Sequence, residues 1–302
     1  MTAATSTRTL EPTAAPAVGR RTRKYRILPT GAWWVVSVCL AILFLYPLYI
    51  LVTQAIKAPA EANASPPTVL PHSLSLQNFI DLGTTQGGLS LLGALGNSVF
   101  VSVLTTLIAL VVSTLAGYAF ARLPFRGSRA LFFVTLITFM VPFQAIITPL
   151  YLTLKDLGLQ NNLVGLALVM ATFNLPFGIF VMRNSFAAIP ASLEEAALID
   201  GATTLGAMRR VMLPIAVPGL VSTALLTFFA AWNEFFATLI LITDQSKYTL
   251  PVSLSILSAG QNGAINWGLL EAGVAVTVIP CVVIYLILQK YYVAGLLSGA
   301  VK

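Results

Sequence analysis

The sequence predicts an all-α integral membrane protein, a bundle of six transmembrane helices with a further cytoplasmic helix between the fourth and fifth spans. Three observations lead there. Hydrophobic residues make up 57% of the 302 and charged residues only 9%, with a mean hydropathy of +0.88, which leaves too little polar side chain to cover a water-facing globule. Apolar runs of about 20 residues, enough to cross a hydrocarbon core as a helix, recur along the chain. Basic residues gather on alternate connections between those runs, as they do where orientation in a membrane is fixed.

In order, the spans are expected at Ala32–Val52, Leu92–Ala121, Ala130–Leu152, Leu163–Met182, Ile215–Ile242 and Leu269–Leu288. The second is long enough to tilt or protrude. Pro142, Pro149, Pro176, Pro218 and Pro280 interrupt the runs. In lipid such breaks survive where neighbouring helices or cavity water satisfy the freed carbonyls, so they fit bends around a pathway and packing kinks equally.

Residues 1–29 are expected to form a cytoplasmic, disordered, basic tail, rich in Thr, Ala and Pro up to Gly19 and without apolar periodicity. Residues 30–302 are expected to form the transmembrane domain. The first apolar run exceeds a signal core and no small-residue cleavage site follows it, so it is expected to remain as an anchor. Arg8, Arg20, Arg21, Arg23, Lys24 and Arg26 lie in the tail, Arg122, Arg126 and Arg129 in the second-to-third turn, Arg183, Arg209 and Arg210 in the fourth-to-fifth loop, and Lys290 and Lys302 at the end. Only Lys57, Lys155 and Lys247 fall on the other side. Both termini are therefore expected in the cytoplasm of a bacterial cell, with the chain multi-pass in the inner membrane. The net charge of +7 reads as topology and attraction to membrane lipid rather than as nucleic-acid binding, for which no basic groove with interleaved aromatics is present. The outward loop Gln54–Ser90, rich in Pro, Asn and Gly, is of a size to contact an external partner, and loop or disorder is equally allowed.

Several chemistries are excluded. Cys39 and Cys281 lie inside apolar runs and His72 is the only histidine, which leaves no metal cluster and no disulfide framework. No Gly-x-Ser-x-Gly elbow exists to meet His72. No Gly-Lys dipeptide occurs, so the phosphate-cradling Gly-x-x-x-x-Gly-Lys-Ser/Thr loop is absent and any ATP-driven step must come from another polypeptide.

The fourth-to-fifth loop, residues 183–214, is far longer than the other inward connection and carries helical punctuation. Pro190 and Ser192 open it, and Ser192 with Glu195 has the spacing of a capping box. Leu193, Ala196 and Ala197 then share a face, Gly201 is placed to end the helix in a left-handed conformation, and a second helical piece, Thr204–Met212, leads through Pro214 into the fifth span. Small alanines and a terminal glycine would let another protein's backbone approach closely.

The spacing Glu195-Ala196-Ala197, three residues, Gly201, nine residues, Val211-Met212-Leu213-Pro214 resembles the Glu-Ala-Ala signature of permease subunits of binding-protein-dependent ABC importers, departing only in Val211 where the pattern has Ile. A narrower resemblance, to maltose-type sugar permeases, is carried by Met140-Val141-Pro142 with Pro149-Leu150-Tyr151, by Trp232-Asn233-Glu234-Phe235, and by the ending from Gln289 to Lys302. The resemblance implies that the loop seats a coupling helix in a cleft on the ATPase, through Glu195, Ala196, Ala197, Gly201, Val211, Leu213 and Pro214. It implies a non-catalytic permease subunit without cofactors of its own, with ATP and Mg held by an ABC ATPase dimer at the cytoplasmic face. A second permease subunit, distinct or a copy of this one, an extracytoplasmic solute-binding protein and a carbohydrate or related solute complete the assembly, which works by alternating access.

Within the spans, Glu234 stands out because an ionisable group in lipid is expensive. Twenty residues beyond Pro214 it lies about 30 Å along a continuous helix. Trp232 and Asn233 beside it fit either an interfacial belt or a sugar pathway, in which the indole would stack on a ring while amides address hydroxyls. Asn174 is a similar pathway candidate. Glu195 can serve its own capping box, pair with a basic residue of the ATPase, or both, and Arg209 and Arg210 read first as headgroup anchors. Two other readings remain: a secondary carrier driven by an ion gradient, which would have no use for the Glu-Ala-Ala loop, and an ABC permease for a non-sugar solute such as a polyol phosphate.

Overall fold

Long unbroken apolar runs have no way to satisfy their backbone in lipid except as helices, and helix is what they form. The computed structural model describes residues 30–84, 90–260 and 265–300, with side chains from 31 to 289. The expected tail, residues 1–29, and the last two residues lie outside these. In chain order the helices are α1 (Thr30–Ala55), α2 (Pro59–Ala62), α3 (Gln77–Asp81), α4 (Leu91–Arg122), α5 (Ser128–Thr138), α6 (Phe143–Asp156), α7 (Leu163–Ala187), α8 (Ala191–Ile199), α9 (Thr204–Ala207), α10 (Leu213–Ile215), α11 (Val217–Trp232), α12 (Phe236–Leu241), α13 (Leu250–Ser258) and α14 (Trp267–Ala300). A π-helical turn, Met208–Met212, joins α9 to α10, and a 3-10 turn spans Gln245–Lys247. The chain falls into two units, one ending at Pro47 within α1 and the other beginning at Leu48.

Among the described residues four helices are long and apolar enough to cross a membrane, Gly31–Ala55, α4, α7 and Trp267–Gln289. The remaining two expected spans are broken. The third bends by 99° between α5 and α6, because Pro142 has no amide proton and disfavours the helical conformation at Val141; Pro142 instead becomes the N-cap of α6. The fifth is not one helix from Ile215 to Ile242. Its approach, Thr204–Ile215, meets α11 at 77°, and α11 ends at Trp232. Pro218 opens α11 instead of interrupting it, whereas Pro149, Pro176 and Pro280 sit inside α6, α7 and α14.

The packing of α4 on α7 depends on small residues, as helix pairs in lipid do. A methyl group on Gly117 would lie 2.6 Å from the Met182 Cβ and 2.8 Å from the Arg183 backbone nitrogen. Ser113 and Gly178 meet further along the same crossing. Gly117→Val is expected to force these helices apart at a cost of about 1–3 kcal/mol, seen as a lowered unfolding temperature of the detergent-purified chain. An unchanged temperature would contradict this close approach.

The loop after α1 is folded. Asn78, buried, donates to the carbonyls of Ala55 at 3.0 Å and Lys57 at 2.8 Å, and the buried Lys57 ammonium is held by Gln54 and the Thr68 carbonyl. The Glu61 carboxylate accepts the backbone amides of His72 and Ser73 at 2.9 and 3.0 Å and the hydroxyls of Ser73 and Thr68 at 2.8 and 3.0 Å, with the His72 ring 3.1 Å away. These bonds, the His72 amide foremost, outweigh desolvation and hold its pKa down to about 2 against 4.5. Since the folded value is the lower one, the loop's stabilisation by this group is complete above about 4.5 and is lost as pH falls towards 2. Protease cleavage between residues 57 and 84 is expected to rise across that window, and Glu61→Gln should raise it at neutral pH and flatten its pH dependence.

Candidate functional site

The first five residues of loop 183–214 still belong to α7, which ends at Ala187, and three residues separate it from α8. Pro190 is the N-cap, with no side chain able to accept an amide, and the helix opens at Ala191. Ser192 is therefore already inside the first turn. The expected capping box between Ser192 and Glu195 does not form, because proline at the boundary starts the helix earlier than that pairing requires.

The other end follows expectation. Gly201 has φ +84°, the left-handed conformation that suits glycine. Its amide donates to the Leu198 carbonyl at 3.1 Å and that of Ala202 to the Ala197 carbonyl at 3.0 Å, the paired bonds that close a helix C-terminus. A methyl group at Gly201 would meet nothing within 4 Å. Thr203 then caps α9 by accepting the Gly206 amide at 3.1 Å. The expected second helical piece, Thr204–Met212, is present, but its last turn widens to π. That turn directs Met208 and Met212 inward, where they pack with Tyr118, Met182, Phe186, Ile189 and Ala216.

A contact unforeseen from the sequence fixes α8 to this core. Glu194, not Glu195, turns inward and is 9% exposed. One carboxylate oxygen accepts the Tyr118 hydroxyl and the other lies 3.5 Å from Arg122 Nε, an ionic contact without hydrogen-bond geometry. The Arg122 guanidinium also donates to the Phe186 carbonyl at 2.6 Å and to that of Ile189, and the Tyr118 ring stands edge-on to Phe186 with centroids 5.5 Å apart. Tyr118 and Arg122 close α4, while Phe186 and Ile189 close α7. One acidic side chain on α8 is thus bound to the end of α4 and, through Arg122, linked to the end of α7. The available clue was Arg122 ending an apolar run four residues after a tyrosine, which called for an acidic partner.

The outer face of α8 is free for other contacts. Glu195 and Ala196 are exposed and Ala197 is half-buried. Leu193, Leu198, Ile199 and Leu205 are exposed, Ile199 by 85%. Val211 and Leu213 are half-buried and Pro214 exposed where the chain turns towards α11.

The pathway candidates separate. Trp232 is 1% exposed, stacked on Phe228 with centroids 5.6 Å apart, and its Nε1 donates to the Thr277 carbonyl at 3.2 Å. Both the interfacial-belt and sugar-stacking readings of this residue are therefore corrected: a ring face is taken up by Phe228 of the same helix, its Nε1 by α14, and almost none of the side chain is left exposed. Asn233 is exposed and donates to the Phe229 carbonyl at 2.8 Å. Glu234 lies in the break after α11 and accepts the Ala237 amide at 2.6 Å, which caps α12 and supplies a local reason for an acidic residue there. Asn174, half-buried, donates to the Met170 carbonyl at 2.8 Å within α7. Trp232 does not join the other three in one constellation. Among the described residues no group of His, Cys, Asp and Glu could hold a metal ion.

Residues 109–297 match the profile of the binding-protein-dependent transport system inner membrane component. The probable ABC transporter permease protein YurM of Bacillus subtilis (strain 168) is 34% identical over 287 residues, covering 93% of this chain and 91% of that protein. The trehalose transport system permease protein SugB of Mycobacterium tuberculosis (strain CDC 1551 / Oshkosh) is 38% identical over 234 residues, 78% of this chain and 84% of that protein. Among solved structures, a chain of a bacterial ABC transporter involved in import of the acidic polysaccharide alginate superposes with a TM-score of 0.74 at 25% identity, covering 86% of this chain and 95% of that one.

Proposed function

The chain belongs to the family of binding-protein-dependent transport system inner membrane components, and from that premise we propose that it is the permease subunit of an ATP-driven importer of a carbohydrate. Its relatives include a trehalose permease, and its structural neighbour belongs to an alginate importer, which supports a saccharide as cargo. Loop 183–214 lies in the cytoplasm with both termini. There α8 docks on one subunit of an ATPase dimer that binds ATP and Mg. A second permease subunit forms the other half of the route, and an external solute-binding protein delivers the sugar.

The observation that carries this reading is the division of α8 into two faces. Inward, Glu194 is bonded to Tyr118 and Arg122 of α4, and Arg122 in turn donates to the Phe186 carbonyl of α7. Outward, Leu193, Leu198 and Ile199 are exposed beside Glu195, and Gly201 leaves open space at the helix end. A partner seated on the outer face through Glu195, Ala196, Ala197 and Gly201 would move the inner face, and α4 and α7 with it. Val211, Leu213 and Pro214 carry the same motion into α11 across the 77° bend. Asn174, Asn233 and Glu234 remain candidates for lining the route.

The test is uptake of radiolabelled trehalose and maltodextrin by proteoliposomes holding the chain with its ATPase, second permease subunit and binding protein. Uptake is expected to require internal ATP and to continue when the ion gradients are collapsed. Uptake that persists without ATP while an ion gradient is held would establish a secondary carrier instead.

A further inference from the structure

A second charged region lies at the same end of α4 and α7 as Arg122 but is separate from the Glu194 cluster. A cavity of about 520 Å³ is lined by Phe120 of α4, Ser128, Arg129, Phe132 and Phe133 of α5, and Arg183 of α7. Arg122, nearby in sequence, is neutralised by Glu194. Neither Arg129 nor Arg183 has a carboxylate within 4.0 Å among the described residues. The Arg183 guanidinium lies 4.3 Å from the centre of the Phe132 ring, which orients it while leaving its donors without an anionic partner. Ser128 is the first residue of α5, whose N-cap, Gly127, offers no side-chain acceptor, so the positive end of that helix adds to the field.

The rest of the cavity is apolar. Three phenylalanines form its walls, and one of them, Phe133, is itself more than half exposed. A small soluble anion would be met by the arginines but would gain nothing from that wall. A molecule with an anionic head and a hydrocarbon tail would use both. We propose that this cavity holds one anionic phospholipid, its phosphate between Arg129 and Arg183 and the start of an acyl chain against Phe120, Phe132 and Phe133. Guanidinium groups suit this ligand because their planar donor forks match phosphate oxygens, and basic pockets between spans at a membrane surface bind such headgroups.

The experiment is native mass spectrometry of the full chain in detergent, with phosphatidylglycerol or phosphatidylcholine of identical acyl chains added. One phosphatidylglycerol is expected to remain bound at concentrations where phosphatidylcholine does not. The R129Q/R183Q pair should weaken that binding on the order of tenfold. R209Q/R210Q, which removes the same charge from exposed positions that meet headgroups only at the membrane surface and do not line the cavity, should leave this single bound lipid at the wild-type level. Equal retention of the two lipids, or equal loss in both variant pairs, overturns the proposal. Displacement by glycerol phosphate as effectively as by the lipid would also overturn it, in favour of a soluble phosphate ligand. Wild-type protein crosslinked to a phosphatidylglycerol with a diazirine in its acyl chain should carry label between residues 120 and 133. Label confined to other helices overturns the proposal without reliance on a variant that must fold. All arms are read without ATPase or sugar, so failure here leaves the importer reading standing, and the converse.

Discussion

Glu194→Ala is expected to destabilise the chain by about 3–5 kcal/mol and to abolish coupled transport, whereas Glu195→Ala, one residue on, is expected to leave stability within about 0.5 kcal/mol of wild type. Glu194 and Arg122 both have side chains about 12% exposed, so their pairing is little screened by solvent. Removing the carboxylate leaves the Arg122 charge with only the carbonyls of Phe186 and Ile189 for compensation and strips the Tyr118 hydroxyl of its main acceptor. Glu194→Gln keeps an acceptor for Tyr118 and drops the charge, and should fall between. Thermal unfolding of the purified chain in detergent reads the stability, and sugar-stimulated ATP hydrolysis by the reconstituted complex reads the coupling. If the two alanine variants unfold at the same temperature, Glu194 is not what holds α8 to α4 and α7.

Gly201→Asp is expected to show the opposite pattern, normal insertion and a modest change in unfolding temperature, with uptake and ATPase retention both lost. The left-handed conformation costs an L-residue about 1–2 kcal/mol, at the low end for aspartate because its short polar side chain can bond locally. Since a Cβ at this position meets nothing in the chain itself, the fold gives no other reason for the substitution to be damaging. A partner's backbone pressed against the end of α8 would. The measurements are the amount of ATPase that co-purifies with the variant and sugar uptake in vesicles. Wild-type values for both would remove the docking proposal.

The neighbouring glutamates illustrate what a linear reading resolves. The turn chemistry of loop 183–214 was legible because it is local: a left-handed glycine four residues past Ala197 and a proline before the fifth span each act within one helical turn. Which glutamate faces inward was not. Successive residues on a helix point about 100° apart, so on the nine residues of α8 a two-residue error in the start exchanges the buried and the exposed side. The capping-box spacing favoured Ser192 as the boundary, and Pro190 set it instead. Trp232 misled for a related reason. An indole beside Asn and Glu suits a wet pathway or an interfacial belt, and only the position of α14, which presents the Thr277 carbonyl, makes it core. The break after Thr138 was marked by Pro142 but its angle was not, and the end of α11 at Trp232 fell inside what read as one continuous span.

By itself the sequence determined that the chain is helical and built for a membrane, because composition and run length leave the backbone no other way to satisfy its polar groups in lipid. It also determined how the backbone must turn after α8, because Gly201 takes the left-handed conformation that ends that helix. Tertiary structure alone decided which faces of those helices became core, with Glu194 locked to Tyr118 and Arg122, Trp232 packed away, and Arg129 left with Arg183 around a cavity. Those outcomes depend on residues more than forty positions apart meeting at one depth, and no local pattern encodes a distance across the bundle.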